Sequence, residues 1–522
     1  MPSQENSTSK SVLLPLAIAI ASAIGMLVGF NMNLNNDKIS LINVAEKQEQ
    51  SIVSDGRIEE ILRFIETNYV DSLDENQVIV DAINHILRQL DPHSNYITPE
   101  ELNDHNEKME GVYKGIGIET IKLRDTFYIT YVREDSPAYT KELQPGDAII
   151  GINQDTISGN NSSFEQMREL LRTGNSDPIE LTFKRVDQAE LSYMKIEPQK
   201  LALHSADLAY LLDSETAYVK ISRFNANTYE QFIKSLERIV KENQAIDLVI
   251  DLRDNPGGFL PETVNILSQL FADKDKMLTY TEGLNRKKQE YRTTGRQFFN
   301  IDKIAILINE NSASGSEILA GAIQDWDRGF IIGRSSFGKG LVQEIFPLSN
   351  DGALRLTVSK YYTPSGRLIQ KSYDNIDKDF VADTSDYNTM MLNRTVIGGG
   401  GVTPDVMIDV DYNNACFNLH DYIDYFIINM MVEKGTYDIE SVDLTQKNLV
   451  EFINREFVED ATLLSSQCNV NTLHYLESRL KRIQEGEVTY QQFLNSKDPY
   501  ILKATELLNN KKTTLALLSE KN

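Results

Sequence analysis

The sequence predicts a multidomain chain that joins α+β and α/β parts. Its expected order is an N-terminal membrane-anchor helix, a helical segment, a compact strand-rich module, an α/β core and a mainly helical C-terminal region. Three observations predict it. Residues 12–30 read VLLPLAIAIASAIGMLVGF, without a charge. Short strand patterns divided by turn signals fill residues 113–185. From about residue 205, buried-strand patterns alternate with amphipathic helical ones, the mark of βαβ units and a largely parallel sheet.

Composition narrows the function classes. A chain of 522 residues corresponds to three or four domains at roughly 150 residues each. It carries 77 acidic against 52 basic residues, a net charge of -25, which opposes the basic face that nucleic acid needs. Hydrophobic residues make up 41%, with 20 Phe and 23 Tyr, enough to fill real cores, so wholesale disorder is excluded. Two cysteines, Cys416 and Cys468, cannot build a disulfide scaffold and allow one bridge at most.

The elements follow in order. Residues 1–10 form a short tail, expected in the cytoplasm. Residues 11–31 match the roughly 20 apolar residues of a membrane span. The small-x-small site Ala21-Ser22-Ala23 falls inside the apolar run rather than after it, so an uncleaved signal anchor is expected instead of a cleaved signal peptide. A polar linker covers 32–55. The anchor would hold the remaining body outside the cytoplasmic membrane.

Residues 56–110 read as helical. One apolar face comprises Ile58, Ile61, Leu62, Ile65 and Tyr69; a second comprises Val78, Ala82, Ile83, Ile86 and Leu90; Asp91-Pro92-His93-Ser94 then breaks the helix. Residues 111–188 form the compact module, with strands at 126–132, 148–152 and 179–185 and a helix at 164–171. Residues 189–410 form the α/β core. Its strands are 217–221, 248–252, 304–308 and 330–332; its helices are 229–240, 262–271 and 317–326. Residues 411–522 are polar with helical stretches such as 473–483 and 500–508.

Chemistry gathers in three loops at strand ends, where α/β sheets place their functional groups. The first, Asp251-Leu252-Arg253-Asp254-Asn255-Pro256-Gly257-Gly258, offers unshielded backbone N–H groups able to stabilise an oxyanion, although an ordinary strand-to-helix turn has the same composition. The second places Ser314 at the start of a helix, where the macrodipole favours negative charge; Ser314-x-x-Glu317 is also a plain capping box. The third holds Lys339 between Gly338 and Gly340. A nucleophilic serine needs a base. No histidine lies between His204 and His420, so lysine is the available base if burial lowers its pKa from about 10.4. Gln343 is spaced to accept a hydrogen bond from that amine without adding charge, whereas an acidic partner would raise the lysine pKa.

At these residues the chain resembles the carboxy-terminal processing, or tail-specific, serine peptidases. The motif Ser-Ala-Ser-x-Ser-Glu-Ile appears at 312–318, and Phe-Gly-Lys-Gly-x-Val-Gln at 337–343, with Lys339 25 positions after Ser314. Arg253-x-Asn255-Pro256-Gly257-Gly258, Tyr361 to Arg367, Gly400 to Asp405 and Asp91-Pro92-His93-Ser94 also match, so the resemblance runs from about 56 to about 410. It implies a crotonase/ClpP-like α/β peptidase core in which Ser314 is the nucleophile, Lys339 the general base and Gln343 its orienter. The oxyanion donors would be the N–H groups of Gly258 or its neighbour Gly257, and of Gly315. It implies no metal or cofactor. The C-terminal helices would serve assembly, as a homo-oligomer or with an adaptor protein.

Gly115-Ile116-Gly117-Ile118, followed by Gly-Asp-x-Ile-x-x-Ile-Asn at 146–153, resembles the carboxylate-binding loop and core of a PDZ domain. The resemblance implies that Arg172, or a neighbour in Leu-Arg-Thr-Gly, would link peptide occupancy to the active site. The resemblance therefore implies a serine endopeptidase anchored in the bacterial inner membrane with its body in the periplasm. It would act on polypeptides with free C-termini, contacting the bilayer through its N-terminal helix. Two other readings differ in class. One is a non-catalytic exported PDZ adaptor on a peptidase-like fold, which the intact Ser314, Lys339 and Gln343 oppose. The other is a crotonase-type acyl-CoA enzyme, which the anchor and the PDZ motif oppose.

Overall fold

The computed structural model describes residues 56–159, 162–172, 178–241, 245–373, 383–408, 417–438, 445–457 and 469–519. The expected tail, anchor and linker, and both cysteines, lie outside them. Among the described residues no helix is long and apolar enough to cross a membrane. The chain divides into two units, Met1–Val80 and Asp81–Asn522.

The first unit holds α1 (Arg57–Asn68) and the opening of α2 (Glu75–Arg88). Glu59 and Glu60 in the first turn of α1 suit the positive end of its dipole. The apolar face expected there forms, and Ile58, Ile61 and Phe64 on α1 are exposed.

The second unit departs early from the helical expectation for 56–110. A three-residue strand, β1 (Asn95–Ile97), follows Asp91-Pro92-His93-Ser94. Then α3 (Pro99–Glu110) begins with a full capping box between Thr98 and Glu101. The compact module follows with β2 (Val112–Gly115), β3 (Ile118–Leu123), β4 (Thr126–Val132), a one-turn helix α4 (Pro137–Thr140), β5 (Ala148–Ile152), β6 (Asp155–Thr156), α5 (Phe164–Arg172), β7 (Ile179–Lys184) and β8 (Leu191–Ile196). Its sheet runs β3-β4-β5-β7-β8, with β3 at an edge. Alternate residues of β7 point inward, and Phe127, Ile129, Ile149, Leu181 and Phe183 close the core against Met167 and Leu171 of α5. β2 instead pairs with β9 (Gln199–Ala202), outside that sheet.

The α/β core is a six-stranded sheet built from β10 (Ala209–Leu211), β11 (Thr216–Lys220), β12 (Asp247–Asp251), β15 (Ile304–Ile308), β16 (Phe330–Gly333) and β21 (Val406–Met407). All neighbours are parallel except β10 with β11. Every residue of β12, β15 and β16 is buried, as a sheet covered on both faces demands. One face packs on the crossover helices α6 (Thr228–Leu236), α7 (Leu260–Gln269) and α8 (Gly315–Asp325), through Phe232, Leu267 and Ile318.

A second sheet combines β13 (Lys274–Gly283), β14 (Arg286–Thr294), β17 (Leu341–Pro347) and β18 (Ala353–Tyr362) with β1, which pairs with β18. Two short strands, β19 (Asp386–Asn388) and β20 (Thr395–Ile397), pair with each other.

The C-terminal region supplies α9 (Phe417–Lys434), α10 (Gln446–Glu456), α11 (Asn469–Glu485), α12 (Glu487–Asn495), α13 (Pro499–Leu508) and α14 (Thr514–Ser519). It serves two bodies. Ile423, Phe426 and Met431 of α9 pack with Phe452 and Leu476 around Leu123 of the compact module. Tyr500, Ile501, Leu508 and Leu518 cover the other face of the core sheet, over Tyr218, Val249, Leu307 and Ile332.

Candidate active site

The three loops predicted from sequence leave the carboxyl ends of β12, β15 and β16 and are tied to one another. Buried Asn255 is the first knot. Its amide donates to the Ile221 carbonyl at 2.8 Å, and its own carbonyl accepts from Ala313 N–H at 3.0 Å and Ser316 Oγ at 2.9 Å. Ser312 Oγ donates to the Leu252 carbonyl at 2.8 Å, and Phe337 N–H donates to the Ser312 carbonyl at 3.0 Å.

Ser314 immediately precedes α8 with φ 54° and ψ -112°. That region belongs to the first central residue of a type II′ turn, normally glycine. A serine held there stores strain on the order of 1–3 kcal/mol, sustained only by firm surroundings. Gly257 explains part of the firmness. A Cβ at Gly257 would stand 2.7 Å from Ser314 Cβ and 2.7 Å from the Ala313 carbonyl oxygen. The glycine is required for close approach of the two loops.

The glycine N–H groups expected as oxyanion donors differ in their hydrogen bonding. Gly257 N–H donates to Asn255 Oδ1 at 2.8 Å and is spent. Among the described residues, the N–H groups of Gly258 and Gly315 have no acceptor. Of the two neighbours expected as donors, Gly257 has its N–H committed and gives space through its missing Cβ, and Gly258 has its N–H unused.

Glu317 is the second knot. Fully buried, its carboxyl group accepts from Ser314 N–H at 2.8 Å, Lys339 N–H at 2.9 Å, Gly338 N–H at 2.7 Å and Ser336 Oγ at 2.6 Å. Burial pushes its pKa up to about 7, against the opposing pull of those donors. Tyr361, also buried, donates to the carbonyls of Ser314, at 3.1 Å, and Lys339. One carboxyl and one phenol thus hold both candidate residues by their backbones.

Lys339 is mostly buried, and its pKa falls to about 8. Burial is the largest cause and the Arg355 guanidinium the next, while Glu317 and Asp91 pull the other way. Acidic neighbours are therefore present after all, but desolvation outweighs them. A histidine is present too. His93, remote in sequence, is pushed down to about 4, first by burial and then by the Lys339 ammonium. Of these two bases, only lysine has a pKa matched to neutral or mildly alkaline pH.

The expected bond from the Lys339 amine to Gln343 is not formed. A register shift between Val342 and Gln343 seats Gln343 opposite Thr357, and its amide donates to Thr357 Oγ1 at 3.2 Å. Its Oε1 has no donor among the described residues.

In the compact module, Gly115, Ile116 and Gly117 are buried and Ile118 is half-buried. The carbonyls of Ile116 and Gly117 accept from Ala138 and Arg133 N–H, each at 3.0 Å. Their own N–H groups have no acceptor among the described residues. Arg172 donates to Asp104 at 2.7 Å and Glu107 at 2.8 Å, tying α5 to α3. Ile118, Arg133 and Arg172 line a cavity of about 940 Å³ bounded also by Arg482 and Glu487 of the C-terminal helices.

Sequence reasoning saw Glu317 only as a capping residue and missed His93, Arg355 and the phenol of Tyr361 as neighbours of Lys339. The Ser-x-x-Glu spacing was the one local signal for Glu317; the others arrive from distant strands and loops.

The chain is similar to several known proteins. Residues 215–382 match peptidase family S41, and residues 128–185 match the PDZ domain. A carboxy-terminal-processing protease of Bartonella bacilliformis is 34% identical over 322 residues, covering 60% of this chain and 72% of that protein. A probable CtpA-like serine protease of Staphylococcus aureus (strain COL) is 30% identical over 359 residues, covering 68% and 69%. A solved photosystem II D1 C-terminal processing protease aligns at 23% identity and TM-score 0.36, covering 67% of this chain and 92% of that one. On the strength of the sequence relatives, the chain belongs to the carboxy-terminal-processing serine peptidases of family S41 and carries their PDZ domain.

Proposed function

We propose that this protein is a membrane-anchored endopeptidase that cleaves exported proteins near their C-termini, with Ser314 as nucleophile and Lys339 as general base. The observation that carries the proposal is the shared seat on Glu317 of Ser314 and a lysine whose pKa is near 8. In the mechanism, the neutral Lys339 amine takes the Ser314 Oγ proton as Oγ attacks the scissile carbonyl. The N–H groups of Gly258 and Gly315 hold the developing oxyanion, each worth about 2.7–4 kcal/mol in comparable sites. The Lys339 ammonium then protonates the leaving amine, and water attacks the acyl-enzyme with the same lysine as base. Gln343, through its remaining Oε1, steadies the ammonium form. The N–H groups of Ile116 and Gly117 take the substrate's terminal carboxylate while the free edge of β3 pairs with the peptide. Arg172 reports that occupancy through α3. The apolar run at 12–30 anchors the protein in the bacterial inner membrane with its catalytic body in the periplasm. A homo-oligomer or an adaptor protein would present the substrate.

Replacing Ser314 by Ala, or Lys339 by Ala, is expected to lower cleavage of an unstructured substrate by about 10⁴-fold or more. Mass spectrometry of exported-protein C-termini with and without Ser314→Ala would identify the substrates. Full activity in either variant would sink the assignment.

A further inference from the structure

Arg355, on β18, stands beside the proposed base, with the carboxylates of Asp91 and Glu101 as its nearest opposite charges. Among the described residues its guanidinium makes no hydrogen bond or ion pair, and its Nε is buried. A buried donor on a charged group is costly when unmade, so such a group calls for an anion. Both acids act on it through space, but neither makes a hydrogen bond or ion pair with it, and each accepts from nearer donors. Asp91 Oδ1 accepts from His93 N–H at 2.8 Å and Ser94 N–H at 2.9 Å, and its Oδ2 accepts from Ser94 Oγ at 2.7 Å. Glu101 accepts from Thr98 N–H at 3.1 Å in the capping box of α3.

The placement is specific. Residues two apart on a strand share a face, so Arg355 lies on the same face of β18 as Thr357, which holds Gln343. Asn95 lies opposite Arg355 across β1, and Ser94 Oγ accepts from Thr357 N–H at 3.1 Å. The guanidinium is close enough to Lys339 and His93 to disfavour positive charge on both. The base must reach the leaving nitrogen to protonate it, so groups gathered around Lys339 border the segment that departs.

We propose that Arg355 binds a carboxylate of the departing C-terminal segment of the substrate, either its terminal carboxylate or an Asp or Glu side chain. This rests on the Ser314–Lys339 reading. A carboxylate paired with the guanidinium there would hold a short acidic tail in register with the scissile bond. With the terminal carboxylate as ligand the site favours cleavage close to a chain end; with a side-chain carboxylate it favours an acidic residue downstream of the cut.

The test compares three peptides that differ only downstream of the cut: a free acid, its C-terminal amide, and the amide with one downstream Asp. A charge-assisted pair is expected to give the free acid, the Asp amide, or both, a kcat/KM advantage of about tenfold or more over the plain amide. Which peptide gains identifies the source of the carboxylate. Arg355→Gln should bring that advantage to within about twofold, and Arg355→Lys should keep part of it, because a cation remains without the planar fork. A change in the Lys339 pKa cancels in these ratios, since one enzyme reads all three peptides. Advantages unchanged in Arg355→Gln would overturn the proposal and assign the preference to the PDZ loop. Calorimetric binding of the same peptides to the Ser314→Ala protein, with and without Arg355→Gln, needs no turnover. An inactive wild-type enzyme would therefore count against the peptidase reading, while the binding comparison still decides the Arg355 site.

Discussion

As the proposed base, Lys339 would set the pH range in which the site works. Its pKa is lowered to about 8, so the reactive neutral amine makes up half the population at that pH and roughly 1% two pH units below. Activity limited by this base is expected to rise as pH increases through about 8. Arg355 is one cause of the lowering, so Arg355→Gln should move the rise to higher pH; kcat/KM measured across the pH range would show it. A limb near pH 4 would instead implicate His93. Ser314 and Lys339 were legible as a candidate pair because both sit inside contiguous motifs. The neighbours that tune the lysine were not legible. Arg355 and Asp91 belong to a strand and a loop far apart in the chain, and nothing local in either pattern marks them as facing Lys339.

At the scale of elements, the turn after β12 is the most constrained. Gly257→Ala would drive a Cβ to within 2.7 Å of Ser314 Cβ and force an L-residue to φ 93°. The two loops would have to part, and a displacement of about 1 Å at the proposed nucleophile can cost on the order of 10²-fold in rate. Steady-state kinetics should therefore show a fall in kcat with the PDZ module's peptide affinity unchanged. Elements with strong patterns were readable: β4, β5 and β15 coincide with the expected strands, and α5 and α13 begin or end within a residue of expectation. The sheet that carries Gln343 and Arg355 was hidden. β13 and β14 are rich in Lys, Arg, Glu and Thr, β18 is half-buried along most of its length, and the three residues of β1 are too few for any periodicity.

For the whole molecule, the C-terminal region joins the PDZ module to the peptidase sheet. Arg482 on α11 reaches Glu119 of β3 at 2.7 Å. Further along, Asp498 caps α13 and pairs with Arg253 at 2.7 Å, while Arg253 also grips Asp251 at 2.6 Å. Arg253 is in the turn that presents Gly258. A chain ending before Asp498 would lose Tyr500, Ile501, Leu507, Leu508, Leu517 and Leu518 from the core. At about 1.5–3 kcal/mol per large side chain, that removes on the order of 10 kcal/mol, comparable with a whole domain's net stability of about 5–15 kcal/mol. Such a truncated protein should be aggregated or protease-sensitive, as limited proteolysis would reveal. The polar composition of 411–522 concealed this role, because its apolar residues are spread over two separate cores. The same arrangement imposes a timetable. Asp498 follows Ser314 by 184 positions, so a growing chain presents Ser314 long before the helix that holds Arg253 in the facing loop has been made.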